Sequence, residues 1–151
     1  MENNCMRSRS VIAGALAIAL TATAASALTA YAPMWMGSIS GKDGAAITGS
    51  ASMKAGADGK STVVDVELKG DAANIARPWH IHIGSCAASG GVFGGGRSYT
   101  PIAVDGTGTG KSSATLAVTL PDTGKYYVNI HDSAANMSKI VACGDLMKHD
   151  M

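Results

Sequence analysis

Beyond residue 27 the chain shows almost no helical pattern and repeatedly alternates apolar with polar positions. Short β-rich runs lie near Trp35–Ser40, Ala46–Met53, Ser61–Leu68, Trp79–Ile83, Thr100–Val104, Ser113–Leu120, Tyr126–His131 and Ile140–Cys143. Turn-forming clusters separate them: Gly41–Gly44, the Asp58-Gly59 pair, Asp105–Gly108 and Pro121–Gly124. Eight short strands at this spacing predict an all-β fold, an eight-stranded antiparallel sandwich or flattened barrel.

Two stretches depart from the pattern. Ala87–Arg97 is rich in glycine and nearly free of periodicity, so it reads as a loop, mobile except where Cys86 pins its start. The tail, 147–151, is expected to fray. The domain reading is a targeting segment over 1–27, an N-terminal segment with the first strand over 28–44, the β-barrel over 45–146 and the tail.

The targeting segment is read from Arg7 and Arg9, the apolar run Val11–Leu20 and the small residues Ala25-Ser26-Ala27 at a cleavage position. The alternative is an uncleaved anchor, for which the run is short. Cleavage after Ala27 predicts a periplasmic or secreted protein with no membrane association once the signal is gone. Of 12 basic and 11 acidic residues, Arg7, Arg9 and Glu2 leave with the signal, so ten of each sign remain. With no basic block, nucleic acid and anionic lipid are poor partners. The composition does not fix an oligomeric state.

Cys5 leaves with the signal as well, which leaves Cys86 and Cys143, 57 positions apart. An even count in an exported chain favours a disulfide over two buried free thiols.

The chemistry concentrates in two strands. In WHIHIGSC (79–86), strand alternation turns His80 and His82 to one side and Trp79, Ile81 and Ile83 to the other. In KYYVNIHDS (125–133), Tyr126, Val128 and Ile130 form the apolar face, and Tyr127, Asn129 and His131 the opposite one. A lone His-x-His on a strand is more often a half-exposed polar pair than a chelate. A third imidazole in the same pattern shifts the balance toward a metal site. The methionines Met34 and Met36 near the first strand, and Met147 and Met151 with His149 in the tail, add soft donors that suit Cu(I) or are ordinary filler.

The ordered set HIH, Cys86, His131 and IVACGDL (140–146) resembles the copper/zinc superoxide dismutase family over roughly residues 45–146. The resemblance implies a Greek-key barrel, copper ligation by His80, His82 and His131, and a Cys86–Cys143 disulfide. A second resemblance is to the CHRD domain, which shares the HIH and YYVNVH-like strands but usually lacks the cysteines. The departures are specific. No histidine lies between His82 and His131 to bridge copper and zinc, the zinc ligands are missing, Ala135 stands near the usual aspartate, and Ile140 replaces the active-site arginine. Copper is therefore the expected ion, and zinc is not. Arg97 and Lys139 are the candidates for steering an anion, and no catalytic residue is assigned. Three readings stay open: a copper-handling or weakly superoxide-reactive protein, with superoxide or a copper-exchange protein as partner; an active copper-only dismutase; and a non-catalytic envelope or interaction module.

Overall fold

The computed structural model of the protein describes residues 33–149. The targeting reading of residues 1–27 and Met151 fall outside them. Within them no helix is long and apolar enough to cross a membrane.

The chain folds as ten strands: β1 (Met34–Gly41), β2 (Thr48–Ala55), β3 (Thr62–Lys69), β4 (Ala76–Arg77), β5 (Trp79–Ser85), β6 (Ala88–Val92), β7 (Ile102–Val104), β8 (Gly110–Leu116), β9 (Tyr126–Ser133) and β10 (Asn136–His149). All belong to one antiparallel sheet in the order β4-β7-β8-β3-β2-β1-β10-β9-β5-β6. The alternation seen in the sequence is kept. Val64, Val66 and Leu68 of β3 face inward, as do Trp35 and Ile39 of β1, and Tyr126, Val128 and Ile130 of β9. These side chains form one apolar cluster drawn from both halves of the sheet, so the sheet curls around its own core.

Pro78 explains how the two ends of the sheet are linked. It has no N–H to donate, so the strand breaks there. Ala76 and Arg77 pair with β7 at one end of the sheet, while Trp79 onward pairs with β9 near the other. The Pro78 carbonyl accepts a 2.8 Å hydrogen bond from the His131 amide. Arg77 crosses the same corner: it binds Asp71 at 2.8 Å, lies 3.6 Å from the Asp132 carboxylate and donates to the Asp132 carbonyl.

The all-β expectation holds, with two strands more than the pattern suggested. β4 is two residues long and carries no alternation. β6 is ASGGV, whose glycines hide its strand character, yet it pairs with β5. The Gly-rich stretch is therefore not patternless. Past β6 the Phe93 amide binds the Ile81 carbonyl at 2.8 Å, and the Tyr99 hydroxyl binds the Phe93 carbonyl at 2.8 Å. Gly84 has φ +115, and a side chain there would run into the Ala88 carbonyl, so the tight β5–β6 turn requires glycine.

The two ends of the described chain meet inside the sheet. β1 lies between β2 and β10. β10 runs through His149 and pairs Met147 with Met36 and His149 with Met34. Both segments gain a full ladder of hydrogen bonds from a partner distant in sequence, which local pattern does not reveal.

Candidate metal centre

His80 and His82 project from the outward face of β5, and His131 from the outward face of β9. The register of β5 on β9 sets Trp79 opposite Ile130, His80 opposite Asn129 and His82 opposite Tyr127. His80 and His131 are thus diagonal neighbours across the ladder, within reach of long side chains. Their ring centroids are 5.2 Å apart, and the His82 ring lies 5.9 Å from His80 and 6.3 Å from His131. One nitrogen from each ring lies within 4.8 Å of the others.

The hydrogen bonds fix which nitrogen each ring turns inward. His131 Nδ1 lies 2.6 Å from the Met137 carbonyl, which can only accept, so Nδ1 carries the proton and Nε2 keeps its lone pair. The β9–β10 ladder changes register between Asn136 and Ile140, and this irregularity brings the carbonyl into place. His82 Nδ1 lies 2.9 Å from the Gly90 carbonyl of β6, which can only accept, so Nδ1 donates there and Nε2 is turned toward the other two rings. Gly96 stands against His80 Nε2, and His80 Nδ1 faces His131 Nε2. The inward donors are therefore His80 Nδ1, His82 Nε2 and His131 Nε2. Holding one ring nitrogen through an outer hydrogen bond while the other faces the ion is the usual support of a metal-binding histidine.

The arrangement fits a cation. His80 Nδ1 and His131 Nε2 face each other at 3.2 Å. Two donors bound to one ion at about 2.05 Å lie about 3.4 Å apart, so this pair already has the required spacing. At that distance either a hydrogen bond from His80 Nδ1 to His131 Nε2, in the tautomer that protonates Nδ1, or a shared cation joins the two rings. His82 Nε2 is buried and has no hydrogen-bond partner among the described residues. Burial, reinforced by the charges of His131 and His82, lowers the His80 pKa from 6.5 to about 4. Burial also lowers that of His131, against the Met137 hydrogen bond, with His82 adding to the lowering. Both rings are neutral at pH 7, the form that ligates.

The surroundings are built to hold these rings. Tyr99 packs edge-on against His80 at 5.1 Å and against Trp79 at 5.0 Å. Tyr127 lies against His82 at 5.2 Å. Cys86, just past β5, is bonded to Cys143 of β10, and its amide donates to Asp145 Oδ1 at 2.7 Å. The disulfide therefore closes the hairpin that carries His82 and its Gly90 partner onto β10.

The two candidate steering residues are placed differently. Arg97 is exposed, in a single 3-10 turn (Gly96–Ser98), and follows the glycine that abuts His80. Lys139 is exposed too, but lies 3.4 Å from the Asp132 carboxylate, so its charge is partly offset. No motif in the chain singles out Arg77, which ties the Asp132 backbone beside His131 to Asp71. Its role depends on a corner formed by Pro78 that only the folded chain displays. No protein-family model matches the chain, and no curated protein matches it.

Proposed function

We propose that this is an exported copper-binding protein of superoxide dismutase-like character, holding one copper through His80, His82 and His131. The observation that carries the reading is the set of three imidazoles with one nitrogen from each within 4.8 Å of the others, His82 Nε2 being buried without a hydrogen-bond partner among the described residues. Imidazole donors suit copper in either oxidation state, and copper bound there supplies one-electron chemistry. The chain's own part is to fix three rings and cover two of them with Tyr99 and Tyr127. Such a site suits copper storage or transfer, or slow reaction with superoxide.

Titration of the metal-free protein with Cu(II), followed by electron paramagnetic resonance, tests this. One equivalent with nitrogen hyperfine structure is expected, lost when all three histidines become alanine. Binding that is unchanged in the triple variant overturns the proposal. A protein that binds no metal at micromolar levels fits a non-catalytic envelope module instead.

One observation favours turnover of superoxide as a second reading: exposed Arg97 directly follows in the chain the glycine that abuts His80. Positive charge at the mouth attracts a small anion, and salt screens it. This reading predicts copper-dependent activity that falls with ionic strength, and falls further in Arg97→Ala. Copper-loaded protein with no activity above buffer removes it.

A further inference from the structure

The methionines at the two ends of the chain are brought together by the β1–β10 register. Met36 lies directly opposite Met147, and Met34 opposite His149. All four occupy the outward face, since Trp35 between the first two points into the core. Four large apolar side chains are exposed among the described residues, and Met36 (41 %) and Met147 (67 %) are two of them. Methionine used as filler is buried, as Met53 is at 0 %. Here thioethers face solvent as register partners, beside an imidazole.

We propose that Met34, Met36, Met147 and His149 form a second metal site, selective for Cu(I). Directly opposed residues on antiparallel strands have Cβ atoms about 5 Å apart, and flexible thioether arms close that gap around one ion. Thioethers are soft ligands that select Cu(I) over harder divalent ions. The local charge permits a cation. Lys54, opposite Met34 on β2, is bound to Asp65 at 3.0 Å, and exposed Asp145 shares the face two residues before Met147.

This site does not depend on the three-histidine reading. Ile140 pairs with His131, and Met147 lies seven residues further along β10, about 20 Å at the rise of a strand. The disulfide at Cys143 stands between them.

The test uses the full protein with methionine methyl groups labelled for nuclear magnetic resonance, titrated with Cu(I) under reducing, anaerobic conditions and with Ag(I) as a redox-inert probe. One equivalent should shift the methyls of Met34, Met36 and Met147 together and leave Met53 unmoved. The substitutions Met36→Leu and Met147→Leu keep volume at exposed positions and should leave the fold intact. Together they should weaken Cu(I) binding at this face by more than about tenfold, the effect of losing even an outer partner at a metal site. Methyls that stay in place under excess Cu(I) and Ag(I), or an affinity unchanged in the double variant, overturn the proposal. A protein that lacks copper at its histidines but shifts these methyls still supports it.

Discussion

His80 Nδ1 stands 3.2 Å from His131 Nε2, although 51 residues separate them in the chain. His131 turns its other nitrogen to the Met137 carbonyl, and His80 Nε2 lies against Gly96. The pair is close enough for His80 Nδ1 to donate to His131 Nε2 in one tautomer, or for both nitrogens to share one ion.

The first prediction concerns acid. The folded His80 pKa is about 4 and its ordinary value is 6.5. As pH falls below about 6.5 the unfolded chain takes up a proton that the folded, metal-free protein refuses until about pH 4. The unfolded state binds more protons across that window, so stability falls as pH drops from 6.5 to 4 and this group adds nothing further below 4. Urea midpoints of the metal-free protein across this range should decline, and the decline should be shallower in His80→Gln. Parallel slopes for the two proteins refute the assignment.

Much of this centre was legible before any fold was known, for identifiable reasons. Strand alternation in WHIHIGSC put His80 and His82 on one side, and the same rule put His131 on the outward face of its strand. What alternation does not carry is register. That β5 lies on β9 with His80 opposite Asn129 decides whether three imidazoles meet. Nor does it carry backbone support: the carbonyls of Gly90 and Met137 have no residue-type signature. The Gly-rich β6 was hidden for a related reason, since its strand is specified by a partner and a tight turn at Gly84 rather than by apolar side chains. The β1–β10 pairing of the methionines likewise joins segments more than a hundred residues apart.

Cutting the disulfide should have two effects. Cys86 and Cys143 close a loop of sequence separation 57. Replacing both with serine should remove about 4 kcal/mol of stability on the chain-entropy argument, read as a lower urea midpoint. The β5–β6 hairpin then loses its bond to β10, and with it the firm placement of the Gly90 carbonyl on His82. Copper affinity should fall even under conditions where the variant is fully folded. A variant with full affinity and unchanged midpoint shows that the hairpin needs no such tether.

Arg77 offers a different lever on the same site. Its side chain is 12 % exposed and that of its partner Asp71 only 2 %. Removing the guanidinium leaves a buried carboxylate without its counter-charge, which typically costs about 3–5 kcal/mol. Arg77→Met should therefore unfold at much lower urea, and Arg77→Met with Asp71→Leu should recover most of the loss. Failure of the double variant to recover would locate the damage at Asp132, whose carbonyl Arg77 also holds.

Tyr127 gives the last and least expected test. Its ring is 1 % exposed, lies against His82 and shares the outward face of β9 with Asn129 and His131. Its hydroxyl is buried with no hydrogen-bond partner among the described residues. An unsatisfied buried hydroxyl is destabilising by about 1–3 kcal/mol. Tyr127→Phe keeps the ring and its contact with His82 while deleting the unpaired group. The variant should be more stable than the parent by about 1 kcal/mol, with copper binding at the three histidines retained. A loss of stability instead would mean that the hydroxyl is satisfied in solution, and that this end of the site is more polar than the packing around His82 indicates.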